Sequence, residues 1–259
     1  MSTLHQLSCS RRWGGPKVPN YAEMQSIVVK VLTGHAPAED LRELVRDQDF
    51  SEVVVATSRI VAKRRWRLRV SAPYTHMALT RLGLEKIIID EYMAAAAPPC
   101  DAISLFKEAP DTLGFIRYAQ TRIRPGDLLQ NVLEFEAAKT QLSIHEVAVR
   151  PRDQPDGYSN KFESWNPVLA KTATVQKFTA DPTVVCAALK QEKDVLPSLP
   201  QATLLIAITH GRFRVYQLEE SIALALHHCD GTVSAETLVG SNERLRLVFQ
   251  HLTAHGILE

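Results

Sequence analysis

Cysteine is scarce: there are four in 259 residues, Cys9, Cys100, Cys186 and Cys229, and no two are spaced as in a zinc site or a dithiol redox motif. A disulfide framework needs a smaller, denser chain, so free thiols in a reducing cytoplasm are expected. Charge of one sign is lacking as well. Thirty Lys and Arg face twenty-nine Asp and Glu, a formal net charge of +1 with His neutral, which gives no global attraction to nucleic acid or to an acidic membrane. No apolar run approaches the roughly 18 residues of a membrane-spanning helix. Arg11 and Arg12 are followed by no apolar stretch, so a secretory signal is not expected there. A glycine-rich phosphate loop, a metalloprotease His-Glu pair and a nucleophile elbow are all absent. The sequence therefore offers no catalytic residue, no metal ligand and no cofactor motif of its own.

What is present is ample core material. With 45% hydrophobic residues, the length suits one large domain or two ordinary ones. Residues 1–20, with Gly14-Gly15-Pro16 and Pro19-Asn20, read as irregular. Helical patterning then dominates to about residue 145. Leu41, Leu44 and Val45 stand at helix spacing within Ala38 to Gln48, and Leu79, Leu82, Ile87 and Ile88 do so within Met77 to Met93. The clearest helix follows Pro125-Gly126-Asp127. Asp127 caps it, Gln130 occupies the capping-box position, and Leu129, Val132, Leu133 and Phe135 supply its buried side until about Gln141. Pro151, Pro155, Gly157 and Pro167 then make 146–170 a linker.

The remainder is mixed. Thr172 to Phe178 alternates like a strand, and Asp181-Pro182 opens a short helix through Lys190. The apolar run Ala202 to Ile208, the turn at His210-Gly211, and Phe213 and Val215 alternating with Arg212, Arg214 and Tyr216 predict a hairpin whose second strand turns Arg212, Arg214 and Tyr216 outward. Leu218, Ile222, Ala225, Leu226 and Cys229 recur at helical spacing and stop at Asp230-Gly231. Ser234 and Asn242 cap two further helices, the second carrying Leu245, Val248, Phe249 and Leu252 on one face and ending at Gly256. The expected fold class is α+β: a helical domain over 21–145, then a small winged-helix-like domain over 171–259.

Three local features invite a functional reading. In His227-His228-Cys229-Asp230, adjacent helical side chains diverge by about 100°, so an exposed His beside a core-facing Cys229 is favoured over a metal site. Glu134 and Glu136, two apart on a helix, diverge likewise and read as a solvated or interfacial edge. The basic run Arg59, Lys63, Arg64, Arg65, Arg67 and Arg69 around Trp66 reads as a solvated face first, then as a dock for an acidic protein surface or peptide, with nucleic acid third. A winged-helix shape also invites DNA. Over 146–259, however, eleven Lys and Arg face thirteen Asp and Glu, and the last helix offers only Arg244 and Arg246. Phosphate neutralisation is poorly supplied, which makes a DNA-binding regulator the alternative rather than the leading reading.

The stretch from Phe213-Arg-Val-Tyr through Leu218-Glu-Glu-Ser-Ile-Ala to Cys229-Asp-Gly231, closing on Ala254-His-Gly-Ile-Leu258, resembles a peptide-recognition domain of the PqqD type. Asp127-Leu-Leu-Gln-Asn-Val-Leu-Glu-Phe-Glu-Ala-Ala138 is similar to the helical domain of partner subunits that accompany multinuclear non-haem iron oxidative enzymes. Relatives of that kind serve the methanobactin and 3-thiaglutamate peptide pathways. The resemblance implies a non-catalytic partner that binds the leader of a ribosomally made, cysteine-containing precursor and presents it to an iron-dependent oxidase, with the iron held by the oxidase. It implies that the leader adds a strand at Arg212, Phe213, Arg214, Val215 and Tyr216 and packs on Leu245, Val248, Phe249 and Leu252. It further implies a heterodimer docked through the helical half, for which Arg64, Arg65, Trp66, Arg67, Glu134 and Glu136 are the candidate residues.

Overall fold

A computed structural model describes residues 26–28, 30–31, 36–42, 47–95, 108–124, 126–148, 164–194 and 199–259. Cys9, Cys100, the irregular stretch 1–20 and most of the expected linker lie outside them. The chain divides into two units, Met1–Ile60 and Val61–Glu259. In the first, Ala38–Leu41 forms a 3-10 turn, and the guanidinium of Arg42 lies over the Phe50 ring at 5.2 Å. Leu44 and Val45 fall outside the described residues. Helix α1 (Asp47–Ser71) begins in this unit and ends in the second.

The second unit continues with α2 (Pro73–Arg81), α3 (Glu85–Ala95), α4 (Glu108–Gln120) and α5 (Leu128–Ala148). The single run expected from Met77 to Met93 is two helices. Gly83 adopts φ +70°, a left-handed C-terminal turn, and its N–H reaches the Thr80 carbonyl at 3.0 Å while that of Leu84 reaches Leu79 at 2.9 Å. This break resets the helical phase. Leu82 and Ile87, expected inside, are exposed, and Ile89 joins Ile88 in the core instead. Helix α5 starts as expected, with Asp127 Oδ1 accepting from Leu129 N–H at 2.9 Å. The reciprocal half of the capping box does not form: Asp127 N–H donates to the Arg124 carbonyl at 3.2 Å, and Gln130 Oε1 is buried with no partner among the described residues. The helix also outruns its expected end at Gln141 and reaches Ala148.

Three strands follow, β1 (Ala173–Phe178), β2 (Ala202–Thr209) and β3 (Arg212–Leu218), in an antiparallel sheet of order β1-β2-β3. Between β1 and β2 lies α6 (Pro182–Lys190), capped by Asp181 with Pro182 at its first turn, as its sequence predicts. His210 and Gly211 both take positive φ, +50° and +72°, the turn that matches strand twist in a two-residue hairpin. After β3 come α7 (Glu220–His227), α8 (Ala235–Val239) and α9 (Glu243–Ala254), the last two capped by Ser234 and Asn242.

β2 has no polar face, and that decides the layering. Leu204, Ile206 and Ile208 join one core with Leu79, Phe115, Leu133, Phe135, Phe178 and Val185, while Leu205 and Ala207 join another with Leu226, Leu245, Phe249 and Leu258. Within the second unit the sheet is thus the middle layer, with α2–α6 on one face and α7–α9 on the other. Packing does not divide at the anticipated linker, because α5 and the sheet share a core. Asn131 on α5 reinforces the junction: its buried Oδ1 accepts from Thr179 N and Oγ1, both at 3.0 Å, and from Ala180 N at 3.3 Å. The end of the linker region is a strap. Val168 exchanges hydrogen bonds with Glu259, Leu169 donates to Cys229, and Ala170 donates to Ile257, all at 2.9 Å.

Candidate functional site

Strand geometry defines an open border. Ile208 N–H donates to Thr172 on the β1 side, so the even-numbered residues of β2 bond toward β1 and the odd-numbered ones toward β3. Their partners in register, Arg212, Arg214, Tyr216 and Leu218, therefore spend their main-chain groups inward. Phe213, Val215 and Gln217 aim theirs away from the sheet, along an edge that no strand covers among the described residues.

Beside that edge runs a groove of about 520 Å³ between β3 and α9, lined chiefly by Tyr216, Leu218, Ile222, Leu247, Val248 and Leu252. Arg244 and His251 also border it. Arg244 is tied to Glu219 at 2.7 Å, and the His251 ring meets Tyr216 edge-on at 6.3 Å. Leu247, 58% exposed, is the most exposed apolar lining residue.

The residues anticipated from sequence divide accordingly. Arg212, Phe213, Arg214, Val215 and Tyr216 all lie on the open strand, but the faces differ from the expected inside and outside. Tyr216 and Leu218 are half-buried toward the groove, whereas Phe213 and Val215 face the helical side and are 43% and 37% exposed. Lys139 of α5 sits over the Phe213 ring at 4.8 Å. On α9, Val248 and Leu252 line the groove, while Leu245 and Phe249 are core, Phe249 fully buried against Trp165. Sequence reasoning missed Leu247 and His251, and weighed Arg244 only as a phosphate contact. The signal was a second stripe, Arg244, Leu247, Val248 and His251 at i, i+3, i+4, i+7, with an apolar residue off the core face.

The docking set is scattered. Arg64 is buried: its Nε and Nη2 bind Asp111 at 2.9 and 2.7 Å, its guanidinium lies over Tyr92, and Tyr92 Oη donates to Asp111 Oδ1 at 2.8 Å. Burial, and next the Asp111 charge, push the Tyr92 hydroxyl above its ordinary pKa. Removing one member of such a pair strands a buried charge, so Arg64 is a structural residue and not a surface contact. Glu136 is likewise buried. Helix α2 has no side-chain cap of its own, and Glu136 supplies one from α5, accepting from Tyr74 N at 3.1 Å and Thr75 N at 2.6 Å. The remaining members are nearer the surface: Trp66 is 59% exposed, Arg65 pairs with Asp90 at 2.8 Å, and Arg67 and Glu134 are half-buried.

Neither described cysteine is poised for chemistry. Burial pushes Cys186 and Cys229 to about 12, and Cys229 Sγ donates back to the Ala225 carbonyl. His227 and His228 are exposed beside it, and among the described residues no three His, Cys, Asp or Glu side chains converge to hold a metal. No helix among them is long and apolar enough to cross a membrane. No protein-family model and no curated protein matches this chain.

Proposed function

We propose that this chain is a non-catalytic subunit whose open β3 edge captures an extended segment of a ribosomally made, cysteine-bearing precursor peptide and presents it to an iron-dependent oxidase. On this reading the hairpin with α7–α9 is a degenerate winged helix turned to peptide binding. The oxidase docks on the helical side, around Trp66, Arg65 and Arg67. The observation that carries the reading is the coincidence of two features: outward main-chain groups at Phe213, Val215 and Gln217, and an apolar groove directly beside them. Both are needed. Ordering a peptide residue costs about 1–2 kcal/mol, and a net hydrogen bond returns only about 0.5–1.5 kcal/mol. An anchored aliphatic or aromatic side chain adds roughly 1.5–3 kcal/mol and supplies the surplus.

Duplex DNA is the less favoured ligand on charge grounds. Arg244 and Arg246, the two cations of α9, are engaged by Glu219 at 2.7 Å and Glu236 at 2.9 Å. The test is co-purification with the oxidase and titration of a labelled precursor leader. Binding at least tenfold tighter than a scrambled leader is expected, with Leu247→Ala and Val248→Ala each weakening it. Equal affinity for the scrambled sequence, together with an oxidase fully active alone, would remove the proposal.

A further inference from the structure

We propose that the segment taken by this edge is acidic as well as apolar: one side chain fills the groove and, two residues along on the same face, a carboxylate meets Arg214 and Arg212. The inference rests on the peptide-binding reading above and specifies its ligand. Four β3 residues, Arg212, Arg214, Tyr216 and Leu218, share the face toward α9, because they pair in register with Thr209, Ala207, Leu205 and Thr203. Leu218 and Tyr216 form the groove end of that row; Arg214 and Arg212 form the other end and are exposed. Residues two apart on a strand are separated by about 6.6 Å. An added strand keeps that repeat, so a side chain seated beside Tyr216 places the next one on its face beside Arg214.

The charge at that end is one-sided. Among the described residues no carboxylate pairs with Arg212 or Arg214; Arg214 Nε donates to the Thr209 hydroxyl at 3.0 Å. His251 and His255 stack edge-on at 4.4 Å on the same side. The His255 pKa is held below its ordinary value by burial first, then by the positive fields of His251, Arg214 and His210. At the groove end, by contrast, Glu219 already answers Arg244. The opposite face of the edge carries Lys139 over Phe213, so a cation on the ligand meets like charge on either side near the hairpin turn.

The test uses fluorescein-labelled nine-residue peptides with a threonine background, a central Leu, and Asp, Asn or Lys placed two residues before or after it. Anisotropy titrations are run on the full chain and on Arg212→Gln/Arg214→Gln, whose fold is verified by circular dichroism. The Asp peptide of one order is expected to bind about fivefold tighter than its Asn counterpart, and the Lys peptide more weakly still. That advantage should disappear in the double variant, and the favoured order reports the direction of the added strand. Asp and Asn peptides binding equally would overturn the acidic requirement while leaving the edge as a peptide site. Failure of every peptide, including the Leu-only control, would overturn both. A labelled 20-base-pair duplex bound with steep salt dependence, and lost in the double variant, would assign the arginines to phosphate instead.

Discussion

Glu136 is the side chain whose role differs most from its place in the sequence pattern. It closes the N-terminal end of α2, where Ala72 at the cap position offers no acceptor. Glu136→Ala leaves one buried and one part-buried N–H without this acceptor and is expected to lower stability by about 1–3 kcal/mol. The ionisation adds a second signature. Burial raises the carboxyl pKa above the ordinary 4.5, with the Thr75 and Tyr74 donors and Lys139 pulling it partly back. A raised folded-state pKa means that the folded protein holds the proton more tightly than the unfolded chain does. Its contribution is fully present below the unfolded value and is lost as pH rises through the folded one. Wild type should therefore lose stability relative to Glu136→Gln as pH rises above the ordinary carboxyl value of 4.5. Urea midpoints of the two proteins across that range check this, and a pH-independent difference would contradict it.

Among the elements, β3 bears most directly on function, and its exposed edge can be tested without touching the groove. Val215 directs its N–H outward, so Val215→Pro removes a donor that no strand among the described residues uses. Proline is tolerated on an edge strand in that position. The variant should keep the melting temperature within a few degrees and bind the leader at least fivefold more weakly, read by circular dichroism and anisotropy; undiminished binding would argue against strand addition. This element was legible in the sequence because its determinants, the turn at His210-Gly211 and the alternation that follows, are local, as are the caps at Asp181, Ser234 and Asn242 that start the neighbouring helices. What was not legible depends on distant partners. Glu136 meets residues 61 and 62 positions away, and Asn131 meets Thr179 at a separation of 48. The groove lay between: its α9 wall was half visible as a helical stripe, but which members turn inward depends on how Trp165 and the strap pack against Phe249. Gly83 misled in the opposite direction, since a periodic apolar pattern runs through it while its left-handed backbone ends the helix.

At the scale of the second unit, a β2 buried on both faces means that α2–α6 and α7–α9 lean on one shared strand. A unit built this way should unfold in one step, even though its two cores do not touch the same side of the sheet. Leu133, fully buried on α5, belongs to one core; Trp165, against Phe249, belongs to the other. Leu133→Ala should cost about 2–5 kcal/mol. In a Trp13→Phe/Trp66→Phe background, Trp165 fluorescence reports the second core alone, while far-ultraviolet dichroism is dominated by the helices. If β2 couples the layers, the substitution shifts both signals by the same amount and their transitions superimpose. A Trp165 transition left in place while the helical signal moves to lower denaturant would show that α7–α9 and the sheet hold together without α5, and that the boundary expected from the sequence at 146–170 is a thermodynamic one after all.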